Sequence, residues 1–394
     1  MSLWVLISSF NPSFEIITFF EQEVYRPITP FSWLPSSALP SETRQELSLL
    51  LVIFLSTFNV ALNFERREPI KILLLIISVN AAFIAILGSI QKLGNAEGIF
   101  WTVSSPNDRF FGSFIYHNHW GAYALMSIAV LIGISHWLHD EHTTRGPMYS
   151  PAMLCLVGAI LILVAIPLST SRSCTGLAVI LLLYAGVRFT KRLYRHGRLT
   201  PQIVGLLLAA FILTGLGTYH VAKQIISGRI KETILHFTGP ENKRYLTGRQ
   251  VVYADTIRMI QDKPVAGWGL ESFALVHHQF STVEKGDDGT TPKYIEAHSD
   301  WLQAVAEVGL VGLVLALSCV LVPAIWVLKR INSDHVAHYC FVATTIVMGL
   351  ALVEFPLANP AVCLAFGTIF YGGCRLSSLS PIRHHHHRHL RAEN

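Results

Sequence analysis

Charge is scarce in this chain. Asp, Glu, Lys and Arg supply only 14% of its 394 residues while 52% are hydrophobic. Soluble domains average about 25% charged, so a water-soluble globular domain is excluded. Six cysteines occur (Cys155, Cys174, Cys319, Cys340, Cys363 and Cys374), and no two form a CxxC pair. That pattern excludes a disulfide scaffold and a cysteine zinc site, and leaves them as small apolar packing residues. No basic segment precedes the first apolar residues, so no cleavable signal peptide is expected. Nucleic acid is not an expected partner, because the net charge is only +5 and no basic face with interleaved aromatics stands outside the short loops. A repeat at a solenoid period and a low-complexity linker are missing too.

What the chain has instead is apolar blocks of about twenty residues, the length that crosses a ~30 Å hydrocarbon core. Nine blocks are expected to span a membrane: residues 46–64, 70–91, 119–138, 152–169, 176–189, 203–222, 301–328, 339–355 and 361–375. The expected fold class is an all-α polytopic transmembrane helix bundle with one long outer loop containing short helices. Its parts are an outer N-terminal segment (1–45), helices over 46–222, the long loop (223–300), helices over 301–375 and a basic cytoplasmic tail (376–394). Basic residues of short loops stay on the inner side. This puts Arg66, Arg67, Lys71, Arg145, Arg188, Lys191, Arg192, Arg195, Arg198, Lys329 and Arg330 inside, with Arg383, Arg388 and Arg391 of the tail. The opposite side receives the 92–118 loop, the turn at Arg172, the 223–300 loop and the 359–360 turn. Residues 3–20, interrupted by Asn11, Pro12 and Glu15, read as a poor first span unless N-terminal helices are missing. The run RHHHHRHLR in the tail reads as a solvated basic end rather than a metal site.

Loops as long as 223–300 usually carry function. Within it, 228–237 and 247–261 have apolar residues at helical spacing, in the second case Val251, Val252, Ala254, Thr256, Ile257 and Ile260. Both read as short helices on or near the membrane. Asp262, Lys263 and Pro264 stop the second, Gly267-Trp268-Gly269 makes a turn, and 284–292 reads as a mobile tip able to act as a lid. Trp101, Trp120 and Trp301 read as interfacial belt residues.

Ionisable residues near the spans gather at the outer face: Arg109, Arg172, Arg249, Arg258, His298, Glu307 and Glu354. Glu307 would lie about 9 Å down its helix from Trp301 at 1.5 Å per residue. The midplane is nearly bare, unlike the pathway of a transporter. Arginines, a histidine and a carboxylate at one membrane face suit a site that grips an anionic head group and removes a proton. A planar guanidinium donates paired hydrogen bonds to phosphate, which makes a lipid-linked diphosphate sugar the natural ligand.

His298-Ser299, nine residues, Gly309, two residues and Gly312 resemble the signature of the O-antigen ligase and Wzy-type O-antigen polymerase superfamily of bacterial envelope glycosyltransferases. Residues 108–124 (DRFFGSFIYHNHWGAYA) are similar to its Arg-x-x-Gly-x-Phe…Asn segment, and residues 169–176 to its Ser-x-Ser-Arg turn. Residues 248–273 resemble its outer-loop stretch, where an Arg opens a helix and a Pro-x-x-Gly-x-Gly turn follows. The resemblance runs from about residue 11 to residue 375. It departs at His117 and His119, which flank Asn118 where small or polar residues are usual, and at Cys174, where glycine is common.

The resemblance implies a metal-independent GT-C-type transferase with no cofactor. The reaction would move a glycan from undecaprenyl diphosphate to an acceptor sugar hydroxyl, with inversion, at the periplasmic face of the bacterial inner membrane. It implies His298 as general base, Arg249, Arg172 and Arg109 as diphosphate ligands, and Glu307, Asn118 and Arg258 in support. Partners would be the undecaprenyl-diphosphate-linked glycan donor, lipid A–core or another glycan acceptor, and membrane lipid. Relatives usually have more than nine spans, so a missing N-terminal portion is expected. Plainer roles stand beside these: His298 as a helix cap, Arg249 paired with an acid such as Asp255, Arg172 meeting lipid phosphate, and Arg258, His277, His278 and Glu354 as structural groups. Ligase, polymerase and protein O-glycosyltransferase differ in acceptor and remain open, although no soluble domain follows the last span. A bicarbonate-like small-anion transporter is the reading from another class.

Overall fold

The structure is a computed structural model that describes residues 1–19, 22–28, 31–141, 151–195, 242–282, 293–327 and 334–379. The N-terminal part forms a short helix α1 (Ser2–Ser9) and an antiparallel hairpin of β1 (Phe14–Phe19) and β2 (Gln22–Pro27), with Glu15 opposite Arg26 and Ile17 opposite Val24. Then come α2 (Pro40–Asn63), α3 (Arg67–Leu93) and a two-residue ladder of β3 (Gly98–Ile99) with β4 (Val103–Ser104). α4 (His117–Glu141), α5 (Pro151–Leu168) and α6 (Arg172–Arg195) follow, and α7 (Asn242–Asp262) and α8 (Phe273–Phe280) belong to the long loop. The last elements are α9 (Asp300–Val327), α10 (His335–Leu350), a 3₁₀ turn (Pro356–Ala358) and α11 (Pro360–Ser378).

The chain is an all-α polytopic bundle with two small β-ladders added. Among the described residues six helices are long and apolar enough to cross a membrane: α2, α3, α4, α5, α6 and α9. They lie where six of the expected blocks were placed. The block expected at 339–355 is the sixteen-residue α10 followed by a turn, and the one at 361–375 is α11. The expected span 203–222, helix 228–237 and lid 284–292 fall outside the described residues, as do Arg145, Arg198, Lys329, Arg330 and the tail. Residues 3–20 form no span: Asn11 turns the chain after α1 by donating to the carbonyls of Phe31 (3.0 Å) and Pro35 (3.2 Å), and a hairpin follows.

α4 is the axis of the bundle, with 83% of its apolar window buried. It packs on α3, α5, α6, α10 and α11, and a helix surrounded in this way is apolar on every side. Trp120 belongs to that core rather than to an interfacial belt: it is fully buried and stacks on Phe111 with ring centroids 5.1 Å apart. Cys155, Cys174, Cys340 and Cys374 are also buried. α2, α6 and α9 turn most of their apolar surface outward, as at Val52, Ile180 and Ile325, which is the composition of a face in contact with lipid. At one end of the bundle the α2–α3 turn meets the end of α11, where Arg375 donates to the Phe64 carbonyl (2.6 Å) and Arg67 to that of Leu379 (2.7 Å).

At the other end the N-terminal segment and the long loop form a cap. Phe14 stacks on Trp268 at 6.3 Å, and the Ala38 N–H donates to the Trp268 carbonyl (2.7 Å). The Thr43 hydroxyl donates to the Leu270 carbonyl (2.6 Å), and Lys263 reaches Ser13 and Ser36, each at 3.0 Å. α7 faces this cap with Val252, Asp255, Thr256 and Met259. Those positions recur at helical spacing on one face, so the buried stripe differs from the expected one, and Ile257 is largely exposed.

The cap is tied to the bundle by a break in α9. Gly309 has φ 67° and ψ 179°, a conformation essentially reserved for glycine. A helix broken there leaves carbonyls on one side and N–H groups on the other without their ordinary partners. The 264–269 segment meets four of them. Trp268 and Gly269 donate to the carbonyls of Ala306 (3.0 Å) and Glu307 (2.8 Å), while Leu310 and Val311 donate to those of Pro264 (2.9 Å) and Val265 (3.3 Å). The approach is so close that a Cβ on Gly267 would stand 2.4 Å from the Glu307 carbonyl oxygen. Residues 310–327, about 27 Å long at 1.5 Å per residue, suffice to span, and residues 300–308 form a separate half-helix under the cap.

Candidate functional site

The capped end brings together segments far apart in sequence. α7 carries Arg249 and Tyr253 four positions apart, so both project from one face. The Arg249 guanidinium pairs with Glu354 (Nη2 to Oε1, 3.2 Å) and donates from Nη1 to the Val353 carbonyl (3.4 Å). The Tyr253 hydroxyl donates to the His298 carbonyl (3.0 Å). Glu354 stands in the turn after α10, which also carries the start of α9: its backbone carbonyl accepts from the Asp300 N–H (3.2 Å), and Ser299 Oγ donates to the Ala351 carbonyl (3.3 Å). The carboxylate of Asp300 returns the contact by accepting from the Leu357 N–H (2.9 Å).

His298 follows that turn closely. Its ring meets Phe355 edge-on, with centroids 5.3 Å apart and planes at 71°. Its backbone has φ 54°, the left-handed region that costs a non-glycine residue of order 1 kcal/mol and persists only where neighbours hold it. Nδ1 of His298 is buried without a hydrogen-bond partner among the described residues. Burial, and then the nearby Arg249 charge, push His298 down to about 4, so the imidazole is neutral at pH 7. The ordinary value is 6.5, so between 6.5 and 4 the unfolded chain binds the proton that the folded chain refuses, and stability at this site is lost as pH falls through that window.

A hydrogen-bonded chain extends from Glu354 to the α5–α6 turn. Tyr116 donates to Glu354 Oε2 (3.4 Å), Asn118 Nδ2 to the Tyr116 hydroxyl (3.1 Å), and the Ser171 hydroxyl to Asn118 Oδ1. Burial, reinforced by the Glu354 carboxylate, pushes the Tyr116 phenol up to about 12, so it remains a donor. Burial pulls Arg249 down, but Glu354 more than offsets this and the guanidinium stays charged.

The other expected site residues lie as follows. Arg172 is exposed at the first position of α6, next to the buried Ser171. A cation there opposes the helix dipole, so it is not placed for capping. Arg109 is exposed on the loop before α4, where its N–H donates to Asn107 Oδ1 (2.9 Å). Arg258 pairs with the buried Asp255 (2.9 Å), which also accepts from the N–H and hydroxyl of Thr282 and so ties α7 to the end of α8. Asp255 is therefore the partner of Arg258, and Arg249 has another acid. Glu307 lies in the half-helix before the break, so the rise of about 9 Å from Trp301 holds, within a segment that belongs to the cap. Its carboxylate accepts from the Phe273 N–H (3.2 Å), capping α8.

A family profile described as O-antigen ligase matches residues 157–317. Over that stretch the chain is O-antigen ligase-like. A search of curated proteins gives no match. The matched stretch of this O-antigen ligase-like chain holds Arg172, Arg249, Arg258, His298, Glu307 and the break at Gly309. Tyr116, Asn118 and Glu354 lie outside it, yet they join its Arg249 to its Ser171 turn. The sequence signals for Glu354 and Tyr116 were slight: one carboxylate at the end of an apolar run, and a phenol two residues before Asn118. The match and the apolar helices support, in general terms, a multi-pass membrane glycosyltransferase of the O-antigen ligase or polymerase type.

Proposed function

We propose that the chain transfers a glycan from undecaprenyl diphosphate to an acceptor sugar hydroxyl at the periplasmic face of the inner membrane, inverting the anomeric centre. The acceptor is lipid A–core in the ligase form of the reaction. The observation that carries this reading is the placement of Arg249 and His298 against one turn, residues 351–355. Arg249 takes the diphosphate, assisted by Arg172 and with Arg109 on the approach. His298 removes the proton of the attacking hydroxyl, and the diphosphate leaves from the opposite side of the sugar. The electrostatics support this division of labour. In the free protein Arg249 helps to hold His298 neutral; a bound diphosphate neutralises Arg249 and raises the basicity of His298 when a base is needed.

This sets a pH signature. The acid limb of kcat/KM, which reports the free enzyme, is expected near pH 4 rather than 6.5, and the acid limb of kcat, which reports the donor complex, at a higher pH. Coincident limbs at 6.5 in a pH series would reject the coupling. Arg249→Lys keeps the charge but loses the fork, and is expected to lower kcat/KM for the donor on the order of tenfold, the worth of a charged hydrogen bond of about 1.5 kcal/mol. The direct test is purified protein in detergent with undecaprenyl-diphosphate glycan and lipid A–core, followed by gel for glycan-bearing product. Product from donor and acceptor together, and from neither alone, is the expected result. Product only when glycan serves as acceptor marks the polymerase form.

A further inference from the structure

We propose that Glu354 is the positioning residue of the site: it holds the Arg249 guanidinium by one edge so that the rest of the fork faces the donor diphosphate. The inference rests on the transferase reading above and adds a residue to it.

Five observations carry it. Glu354 is buried, its side chain 5% exposed, whereas that of Arg249 is 48% exposed although the two are paired. A guanidinium has five N–H donors; one goes to Glu354 and one to the Val353 carbonyl, so three remain on a side chain that is half open to solvent. The second carboxylate oxygen accepts from Tyr116, which fixes the plane of the carboxylate and therefore of the fork upon it. Asn118 and Ser171 continue the chain to the turn that precedes Arg172. Finally, the backbone of Glu354 accepts from Asp300, two residues after His298, so movement of this residue displaces clamp and base together.

A carboxylate beside a diphosphate site has an electrostatic cost, since it offsets part of the attraction between Arg249 and the donor. A group retained for charge complementarity alone would be misplaced there. A group retained for orientation predicts a specific kinetic split. Glu354→Gln keeps a hydrogen-bond acceptor for Arg249 but removes the negative charge and one of the two acceptor oxygens. Its kcat is expected to fall at least tenfold, with a donor KM unchanged or lower because Arg249 is no longer offset. Tyr116→Phe, which leaves both charges in place, is expected to shift kcat in the same direction by a smaller factor, and it serves as the reading if the first variant does not fold.

The experiment measures donor KM and kcat per folded molecule for the wild type and both variants, with undecaprenyl-diphosphate glycan and whichever acceptor the wild type uses. Wild-type kcat in the folded Gln variant, or, if that variant does not fold, in Tyr116→Phe, overturns the assignment, as does a raised KM with unchanged kcat. These outcomes leave the transferase reading intact because the wild type turns over in the same assay. A folded wild type that makes no donor-dependent product with any acceptor defeats the transferase reading and the inference with it.

Discussion

His298→Ala is expected to lower glycan transfer by roughly 10²–10⁴-fold, the usual contribution of a general base, while the protein stays folded and membrane-inserted. Among the described residues His119 also packs on Phe355, but its Nε2 is engaged with the Phe355 carbonyl at 3.0 Å. The His298 imidazole is neutral at pH 7, stands against the turn that carries the Arg249 pair, and has a buried Nδ1 with no partner among the described residues. The tie to Tyr253 runs through the backbone carbonyl of residue 298 and survives truncation of the ring. Alanine is less at ease than histidine at φ 54°, so His298→Asn is the companion variant: asparagine tolerates that region yet cannot accept the proton. Both variants are expected to be inactive with unchanged circular dichroism and gel-filtration behaviour. Normal transfer by either, at matched folded protein, would remove His298 from the base role.

The helices were legible from composition because a spanning helix needs an apolar block of fixed length, and α2, α3, α4, α5 and α6 fall where those blocks do. The partnerships were not. Arg249 and Glu354 are 105 residues apart, and spacing in a sequence carries no information about pairing over such a distance; the nearer acid Asp255 was the obvious local candidate, and the fold gives it to Arg258. Tryptophan favours interfaces, but α4 is enclosed by its neighbours and draws Trp120 into the core. The count from Trp301 to Glu307 stays within one half-helix, but nothing in the spacing marks the break at Gly309 two residues beyond it. The signature from His298 to Gly312 was thus visible as a pattern, while the reason for its glycine, a junction between the spanning helix and the outer cap, is a property of the backbone contact alone.

Gly309→Ala tests that junction and is expected to have the largest effect on the architecture of the site. The methyl group would be built 2.2 Å from the Val265 carbonyl oxygen, at a φ of 67°. The backbone strain alone costs of order 1–3 kcal/mol. The chain has an escape: α9 can close into one continuous helix in which Leu310 and Val311 donate to Ala306 and Glu307. That restores the helix but strips the 264–269 segment of four hydrogen bonds of about 1 kcal/mol each, and the half-helix that begins beside His298 must rotate relative to α7. The variant is therefore expected to insert normally, to lose transfer, and to expose the 264–282 region to limited proteolysis. Gly186→Ala is the control, because a Cβ there meets nothing within 4 Å, and it is expected to match the wild type in cleavage pattern and activity. A Gly309→Ala protein with the wild-type cleavage pattern would mean that the cap is held by its other contacts, Phe14 on Trp268 and Lys263 on Ser13 and Ser36. If cleavage changes and transfer does not, Arg249 and His298 keep their relation through residues 351–355 without the junction. Loss of both together means that the break in α9 keeps the base and the diphosphate clamp in one geometry.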